Sequence, residues 1–319
     1  MKLSDRQIDL LKQHWPIEGE VRFHRRVANF VYMTSLNGEE VVLRLTEPSH
    51  RKLPEIESEL HWMSYLQSHG MKVAGPIRSS DGSLVVEISG ETNYYAAIFQ
   101  KAHGSSLADN KVLNNQTIMT WGQYLGKMHR LTKDYIPPAT IQRRQNWDVD
   151  ESLTMALRSL DRQDDLPYRR LNELMEWMKS LPRDKDCYGL IHCDLHRGNF
   201  FIKNDEMTAF DFDDACYQWF SYDIVPPVNS INRNLSEGNH SSEKEKALQS
   251  FLKGYCRENQ LEQVWIDRIS IFDKYRAALL YHWAKTCVKE NVFGPEGIQW
   301  VKEKSPKLIL AIQDPLKLF

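Results

Sequence analysis

The sequence has no run of apolar residues near the length of about 20 that a membrane-spanning helix needs. It also has no excess of one charge, since 41 lysines and arginines against 43 aspartates and glutamates give a formal net charge of −2. Such a balance offers no bulk field that would recruit nucleic acid or an anionic membrane. The N-terminus begins a polar amphipathic helix rather than the apolar core of a signal peptide. We therefore expect a cytoplasmic protein that has neither a membrane nor nucleic acid as its partner.

Paired cysteines are also missing. The five cysteines are odd in number, widely spread and form no C-x-x-C motif; they are Cys187, Cys193, Cys216, Cys256 and Cys287. A disulfide framework or a zinc knuckle would need paired spacings. This usage fits a reducing cytoplasm. With 41% hydrophobic residues over 319 positions, the chain is long enough for two folded lobes that share a cleft.

Two short segments carry the residue types that phosphoryl transfer requires. Residues 192–199 read HCDLHRGN, and residues 210–214 read FDFDD. A kinase-type site needs an aspartate that accepts the proton of the attacking hydroxyl, an asparagine that holds Mg²⁺, and a further aspartate that bridges metal and phosphates. Asp194, Asn199 and Asp211 supply these groups in that order. We predict Asp194 as the catalytic base, Asn199 and Asp211 as metal ligands, and ATP and Mg²⁺ as cofactors.

The residues between the two segments predict a hairpin. Residues 200–202 and 207–210 are typical of strands, and the polar turn 203–206 separates them. Because a hairpin returns the chain to its starting edge, we expect Asn199 and Asp211 to lie at the same edge.

The residues of these segments resemble the motifs of the aminoglycoside phosphotransferase and choline kinase superfamily. They differ from the eukaryotic protein-kinase motifs, with HCD where those have H-R-D and DFD where those have D-F-G. Tyr222-Asp223-Ile224 adds a third match, and the resemblance covers nearly the whole chain. It implies a protein-kinase-like fold and a small-molecule hydroxyl as the acceptor. It also implies that Asp223 braces the catalytic loop and that His192 packs beneath that loop.

Local patterns predict an α+β fold with two lobes. A helix over Ser4 to His14 precedes a β-meander with an Asn37-Gly38 turn, and Pro54 opens a helix that Gly70 can cap. Strands at 84–89 and 94–100 complete a small sheet lobe of five strands and one main helix, while helical periods dominate from residue 116 onward. We place a nucleotide-binding lobe at residues 1–101 and a mostly helical catalytic and substrate-binding lobe at 102–319.

The helix after Pro54 carries a carboxylate in its apolar stripe. That stripe is Ile56, Leu60, Met63 and Leu66. Glu59 falls within it, whereas Glu57 lies on the wetter side. A buried carboxylate needs a cation, and Arg44 stands where the resembling superfamily usually has lysine. We predict that Arg44 and Glu59 pair and bind the nucleotide. The alternatives are a glutamate at the edge of the stripe and an arginine at a strand edge.

The turn predicted to cover the nucleotide, residues 23–29, contains no glycine. Small-molecule kinases of the resembling superfamily often lack a glycine-rich cradle, so its absence argues against a eukaryotic-type protein kinase more than against ATP binding. Arg25 or Arg26 could reach phosphates, and the alternative is a solvated basic hairpin tip. At the predicted hinge, residues 100–104, we predict that Gln100 and Ala102 contact the nucleotide.

Several neighbours of the motif have open roles. His196 is a candidate for the substrate side, and Asp213 either reaches metal or substrate or braces its loop. Asp214 is predicted to be structural. A zinc site of His192, Cys193 and His196 is a weaker alternative, because no second ligand pair has metal spacing.

Aromatic residues cluster in the last third of the chain. Tyr275, Leu279 and His282 share a helix face at i, i+4 and i+7, and Trp283 follows. We list Tyr275 and Trp283 as candidate substrate contacts, for instance a cation–π contact to an amine. The alternative is helix packing within the large lobe.

Together these features predict an ATP- and Mg²⁺-dependent phosphotransferase that acts on a hydroxyl of a small molecule. Two alternatives stay open at this point. One is a bacterial protein serine/threonine kinase of the same fold, and the other is a nucleotide-binding pseudokinase. The sequence fixes neither the acceptor nor the oligomeric state.

Overall fold

The computed structural model describes residues 3–26, 28–90, 92–107, 113–158, 166–232, 241–289 and 295–313. The helices in these ranges are α1 (Asp5–His14), α2 (Leu53–Ser68), α3 (Asn115–Thr132), α4 (Glu151–Arg158), α5 (Leu166–Lys179), α6 (Phe220–Asp223), α7 (Val225–Asn232), α8 (Ser241–Tyr255), α9 (Gln263–Asp267), α10 (Ile269–Lys289) and α11 (Pro295–Gln313). The strands are β1 (Ile17–Arg26), β2 (Phe30–Leu36), β3 (Glu39–Thr46), β4 (Pro76–Ile77), β5 (Val86–Ile88), β6 (Tyr94–Gln100), β7 (Ser105–Ser106), β8 (Tyr188–Ile191), β9 (Phe200–Lys203), β10 (Glu206–Ala209) and β11 (Cys216–Trp219). None of these helices is both long and apolar enough to cross a membrane.

The chain forms two compact units. The first consists of Met1–Val112, Asp134–Arg144 and Arg197–Asp213, and the second of Leu113–Lys133, Gln145–His196 and Asp214–Phe319. The first segment of the first unit therefore extends past the predicted boundary between residues 101 and 102. The division into domains at 1–101 and 102–319 stays a prediction.

An antiparallel sheet forms the centre of the first unit. Its order is β1-β2-β3-β6-β4, with β5 also paired to β6. The turn between β2 and β3 uses Asn37 and Gly38 in left-handed conformations, with φ of 50° and 78°, as a two-residue hairpin requires. The sheet has six strands, not the predicted five, because two-residue β4 is too short to give a pattern. Its buried side packs with α1 through an apolar core that includes Leu11, Trp15, Tyr32, Leu43 and Ile98.

Helix α2 buries the stripe that its sequence predicts. Ile56, Leu60, Met63 and Leu66 are all at most 1% exposed, and Glu59 is 1% exposed among them. The helix begins with proline near its N-terminus, where the missing amide hydrogen is no loss. The predicted face assignment is confirmed, and it places a carboxylate inside the unit.

A hairpin of β9 and β10 joins the first unit, with β7 on its other side. Lys203 pairs with Glu206 across the turn, so the predicted hairpin is confirmed. Gly104 permits the close approach of β7, because a Cβ there would lie 2.3 Å from the carbonyl oxygen of Ile202. Ala74 N donates to Ala209 O at 2.8 Å and holds the far end of the hairpin.

The second unit is mainly helical, and β8 and β11 form an antiparallel pair within it. Helices α3 and α8 cross closely at glycines. A Cβ on Gly122 would lie 2.0 Å from the carbonyl oxygen of Phe251, and one on Gly254 would lie 2.0 Å from that of Met119. The absence of these side chains lets the two backbones touch. The α+β fold with a sheet-rich part and a helical part is confirmed.

Candidate active site

Asn199 and Asp211 lie at the open end of the β9–β10 hairpin. The amide of Phe210 donates to the carbonyl oxygen of Asn199 at 2.9 Å and continues the ladder by one step. Asp211 then turns the chain with a left-handed φ of 67°, which a non-glycine residue rarely adopts. Burial and the neighbouring Asp213 carboxylate raise the pKa of Asp211, and Arg25 and Arg44 oppose them. The hairpin thus gathers two oxygen-bearing side chains of the first unit at one edge, as predicted.

Asp213 braces the turn that contains Asp211. Its carboxylate lies 2.8 Å from His50 Nε2 and 3.4 Å from Arg51 Nε, and it accepts from Asn29 Nδ2 at 3.3 Å. Burial opposes ionisation, but Arg51 and His50 outweigh it and hold the pKa of Asp213 well below its usual range. With its side chain 8% exposed and these partners in place, Asp213 fits the bracing alternative rather than substrate contact.

Arg144 ties this turn to helix α2. Its guanidinium donates to the carbonyl oxygen of Glu55 at 2.7 Å and also to the carbonyl oxygen of Asp213. The side chain of Trp62, on the same helix, packs edge-on against Phe212, with ring centroids 5.4 Å apart. The helix that carries Glu59 and the turn that carries Asp211 are therefore fixed to each other within the first unit.

Arg44 and Glu59 form the predicted ion pair. Arg44 Nη1 and Nη2 donate to the two carboxylate oxygens of Glu59 at 2.8 and 2.6 Å, and the side chains are 7% and 0% exposed. Burial lowers the pKa of Arg44, but Glu59 more than offsets it, so the net shift is upward. The guanidinium lies over the ring of Phe99, with its Cζ 4.9 Å from the centroid. Arg44 Nε is buried and has no hydrogen-bond partner among the described residues.

The predicted nucleotide-covering turn lies partly outside the described residues, because residue 27 is not among them. Of its described arginines, Arg25 lies 3.6 Å from a carboxylate oxygen of Asp211, and Arg26 lies 3.3 Å from one of Glu47. Both arginine side chains are about half exposed, at 48% and 53%. Arg25 is therefore the one that reaches the predicted metal ligand.

Gln100 is the last residue of β6, and Ala102 lies two residues further along the chain. The amide of Gln100 donates to the carbonyl oxygen of Gly75 at 2.9 Å, and its side-chain oxygen accepts from Gln67 Nε2 at 2.8 Å. Ala102 is 7% exposed. The backbone at the predicted hinge is thus held on one side, and nucleotide contact by these two residues stays a prediction.

In the second unit, Asp194 follows a strained residue. Cys193 has a φ of 66°, and its amide donates to Asp223 Oδ1 at 2.8 Å. The amide of His192 donates to Asp223 Oδ2 at 3.1 Å, so one carboxylate binds two successive backbone amides. His192 is fully buried, and its Nδ1 lies 3.4 Å from the amide nitrogen of Asp194. This geometry matches the two roles that the resemblance implies: Asp223 braces the catalytic loop, and His192 packs beneath it.

A second layer of hydrogen bonds holds the brace. His129 Nε2 lies 3.0 Å from Asp223 Oδ2, and His129 Nδ1 lies 2.7 Å from the hydroxyl of Tyr255. Burial lowers the pKa of His129 despite the Asp223 carboxylate, so the ring is neutral and donates through Nε2. Tyr255 reaches His129 because α3 and α8 cross at glycines. The close helix crossing therefore fixes the loop before Asp194.

Arg276 and His196 lie beside the carboxylate of Asp194. Arg276 Nη2 donates to Oδ1 at 2.5 Å, and His196 Nε2 lies 3.5 Å from Oδ2. Burial lowers the pKa of His196, and Arg276 adds to that effect against Asp194, so the imidazole stays neutral near pH 7. Asp194 keeps 24% of its side chain exposed, as a group that receives a substrate would need.

Tyr275, on the aromatic helix α10, lies in the core of the second unit. Tyr275 is 1% exposed and packs against Trp147 and Tyr222, with ring centroids 6.1 and 5.8 Å away. Its place in the core supports the packing alternative, and a substrate contact of Tyr275 stays a prediction. Trp283 is partly exposed, and its contact with a substrate stays a prediction.

The zinc alternative receives no support from the geometry. No group of three or more histidine, cysteine, aspartate or glutamate side chains in the described ranges is arranged to hold a metal. Cys193 Sγ instead faces Cys216 Sγ at 3.3 Å, and burial raises the pKa of the Cys193 thiol.

Several residues of the site lie outside any sequence motif, so their roles could not be predicted from the sequence. They are Asn29, His50, Arg51, Arg144 and Arg276. Each lies far along the chain from its partner, and only the folded chain brings it there. The one local signal is that Arg276 directly follows Tyr275, on the helix whose cluster of aromatic residues the sequence already marks as a candidate substrate contact.

Comparison with known proteins gives consistent results. Residues 20–263 match the APH family, described as the phosphotransferase enzyme family. The amicoumacin kinase of Bacillus subtilis (strain 168) is 30% identical over 282 residues, which cover 87% of this chain and 83% of that protein. The homoserine kinase of Agrobacterium fabrum (strain C58 / ATCC 33970) is 23% identical over 291 residues, which cover 87% of this chain and 84% of that protein.

Solved structures agree with these sequence matches. An amicoumacin kinase in complex with AMP-PNP, Ca²⁺ and Ami is 28% identical, with a TM-score of 0.84 and coverage of 96% of this chain and 93% of the other. A microcompartment-associated aminopropanol kinase is 22% identical, with a TM-score of 0.75 and coverage of 96% and 95%. The second likeness concerns the fold alone.

Proposed function

Since the chain belongs to the phosphotransferase enzyme family, we propose that it transfers the γ-phosphoryl group of ATP to a hydroxyl of a small molecule, with Mg²⁺ and with Asp194 as the base. As a member of that family it is a kinase, a phosphotransferase with an alcohol group as acceptor and a small molecule as substrate. The resemblance drawn from the two motif segments is thereby confirmed. The small-molecule kinases among its relatives favour this function over the protein-kinase and pseudokinase alternatives.

The observation that carries the proposal is the backbone conformation at the two motif aspartates and the buried carboxylates that support it. Asp194 follows a non-glycine residue with φ of 66°, and Asp211 itself has φ of 67°. Such conformations cost about 1–3 kcal/mol and persist where surrounding contacts hold them, often at functional sites. Here Asp223 holds the first and the Asp213 cluster supports the second. Asp205 in the exposed hairpin turn has a similar φ of 62°, so the distinguishing feature of the two motif turns is the buried carboxylate that supports each of them.

Asn199 and Asp211 would hold the metal. Their oxygen atoms suit Mg²⁺, which proteins usually bind through one or two carboxylates together with substrate phosphates. Burial and the Asp213 carboxylate raise the pKa of Asp211, and a cation bound at this edge would oppose that shift. A bound Mg²⁺ would neutralise charge that develops on the phosphates.

The first unit supplies the phosphate-binding cations. Arg44 is fixed by Glu59 and by the Phe99 ring, and its buried Nε is a donor that requires a partner. A phosphate oxygen is such a partner, since charge-assisted hydrogen bonds from arginine to phosphate are strong. Arg25, which already reaches Asp211, is a second donor for the same anion.

Asp194 acts on the acceptor in this proposal. A partly exposed carboxylate that is held by its neighbours can accept a hydrogen bond from the acceptor hydroxyl and take its proton as the phosphoryl group is transferred. The acceptors named for its relatives are amicoumacin, aminopropanol and homoserine. We take these, with a wider set of amino alcohols and sugars, as the acceptors to test.

The experiment measures ADP release from ATP by the purified protein across that set, with Mg²⁺ and with an excess of EDTA. A metabolite extract passed through a small-pore filter serves as an unbiased source of acceptors. We expect at least one acceptor, or the filtered extract, to raise ADP release, and we expect EDTA to abolish the increase. Stimulation by the protein fraction alone, or release that is indifferent to EDTA, would contradict the proposal.

A further inference from the structure

Arg276 of α10 donates to three acceptors around the predicted base. Its Nη2 lies 2.5 Å from Asp194 Oδ1, and its Nη1 lies 3.0 Å from the carbonyl oxygen of Cys193 and 3.2 Å from the hydroxyl of Tyr222. The arginine side chain is 14% exposed. One cation thus holds both the carboxylate of Asp194 and the backbone that precedes it.

The charge on Arg276 is permanent. Burial lowers the pKa of Arg276, but Tyr222 and Asp194 more than offset it, so the net shift is upward. Arginine also presents its donors in a planar fork whose geometry is set before any contact forms. A lysine could provide the charge but not two donors fixed at this separation.

The contacts of Arg276 restrict a torsion that aspartate itself leaves loose. The χ2 angle of aspartate is broad and roughly two-fold, so an unrestrained carboxylate presents either oxygen in many orientations. Arg276 binds Oδ1, and the carbonyl of Cys193 binds the same guanidinium. Because Asp223 binds the amide of Cys193, both sides of the strained residue are held.

We propose that Arg276 is a positioning residue for phosphoryl transfer, which holds Oδ1 of Asp194 so that Oδ2 receives the acceptor hydroxyl. The inference rests on the proposed function, because it takes Asp194 as the group that meets the acceptor. It goes beyond that function by assigning the orientation of the base to a residue outside both motif segments. Misplacement of a catalytic group by about 1 Å can cost on the order of 10²-fold in rate.

The test compares Arg276→Gln and Arg276→Lys with a matched control, Arg130→Gln. Arg130 of α3 also binds a carboxylate, that of Glu258 just after α8, at 2.9 Å. The assay measures kcat and the KM for Mg·ATP with the acceptor of highest turnover among homoserine, the aminopropanols and amicoumacin. It also measures ATP hydrolysis by water without an acceptor.

We expect Arg276→Gln to lower kcat by about 10- to 100-fold, with the KM for ATP changed by less than about 2-fold. Arg276→Lys should recover part of that loss and stay about 3- to 10-fold below wild type, because it keeps the charge but not the fork. Arg130→Gln should match the wild type. Wild-type kcat in either Arg276 variant, or a loss confined to the KM for ATP, would overturn the inference. Arg276→Lys carries the kinetic test by itself if Arg276→Gln does not fold.

A double-mutant cycle separates positioning from direct substrate contact. If Arg276 acts through Asp194, then Arg276→Gln costs little more once Asp194 is replaced by asparagine. Losses that multiply would mean that Arg276 contacts substrate or phosphate itself, and the inference would be wrong. A crystal structure of Arg276→Lys gives an answer that needs no acceptor: Asp194 should change its χ2 angle or occupy more than one, and an unchanged carboxylate contradicts the inference. Full activity in Asp194→Asn alone would instead refute the proposed function.

Discussion

Arg44 and Glu59 bind each other through two hydrogen bonds of 2.8 and 2.6 Å inside the first unit, with the glutamate side chain fully buried. A lysine would meet the carboxylate with one ammonium group. The arginine meets both oxygens, and its Cζ lies over the Phe99 ring, 4.9 Å from the centroid. Its third side-chain nitrogen, Nε, is buried without a partner in the described part of the chain. The pair therefore holds a cation rigidly and still presents a donor.

The first prediction concerns this pair. Arg44→Ala leaves the Glu59 carboxylate buried without its cation, which typically costs about 3–5 kcal/mol in the free energy of unfolding. It should also weaken Mg·ATP binding and turnover, since a phosphate donor is lost. Arg44→Lys should keep more of the stability and of the binding. Urea unfolding and calorimetric titration with ATP test both effects. Unchanged ATP affinity and turnover in Arg44→Ala would rule out the nucleotide role of the pair.

The second prediction concerns the brace of the Asp211 turn. Asp213→Asn removes the charge that His50 and Arg51 face, so we expect a loss of about 2–4 kcal/mol in the free energy of unfolding. The loosened turn should also raise the Mg²⁺ concentration at half-maximal activity. Asp205→Asn is the matched control, because Asp205 is exposed in the hairpin turn with φ of 62°, a conformation that asparagine tolerates. Equal free energies of unfolding of the two variants would contradict the assignment of Asp213 as the brace of the Asp211 turn.

The third prediction concerns pH and the buried His129. Its pKa in the folded protein is below the ordinary value of 6.5, so the unfolded chain binds the proton more readily. The contribution of His129 to stability is therefore complete above about pH 6.5 and declines as the pH falls below it, by at most about 1.4 kcal/mol per pH unit. His129→Gln keeps an N–H donor for Asp223 but does not titrate. Urea unfolding between pH 7.5 and 5.5 should show a smaller pH slope in this variant. A slope equal to that of the wild type would contradict the assignment.

The sequence predicted those parts of the fold that depend on local patterns. The Asn37-Gly38 turn, the buried stripe of α2 and the β9–β10 hairpin all lie where residue periodicity and turn chemistry place them. Two-residue strands such as β4 and β7 were missed, since two residues carry no period. The spacing of Tyr275 fits both a substrate wall and a core position, and its burial in the fold favours the core position.

The residues of the candidate site also divide into those that local sequence patterns predict and those that they do not. The motif residues and the Arg44–Glu59 pair follow from spacing and from the need of a buried carboxylate for a cation. The supporting residues do not, because their partners are distant in sequence: His50 and Asp213 are 163 positions apart, and Arg276 and Asp194 are 82 positions apart. Nothing local marks such residues, and a single sequence gives no pairwise signal. Their roles come from tertiary contacts.

The central claim, that Asp194 is the base of a small-molecule kinase, is tested most directly by Asp194→Asn. The measurement is the rate of formation of phosphorylated acceptor, followed by mass spectrometry, together with the dissociation constant for Mg·ATP. We expect the wild type to add one phosphoryl group to its acceptor. In the variant that rate should fall on the order of 10²–10⁴-fold while the affinity for Mg·ATP changes by less than about 2-fold. Product formation at the wild-type rate by Asp194→Asn would contradict the account.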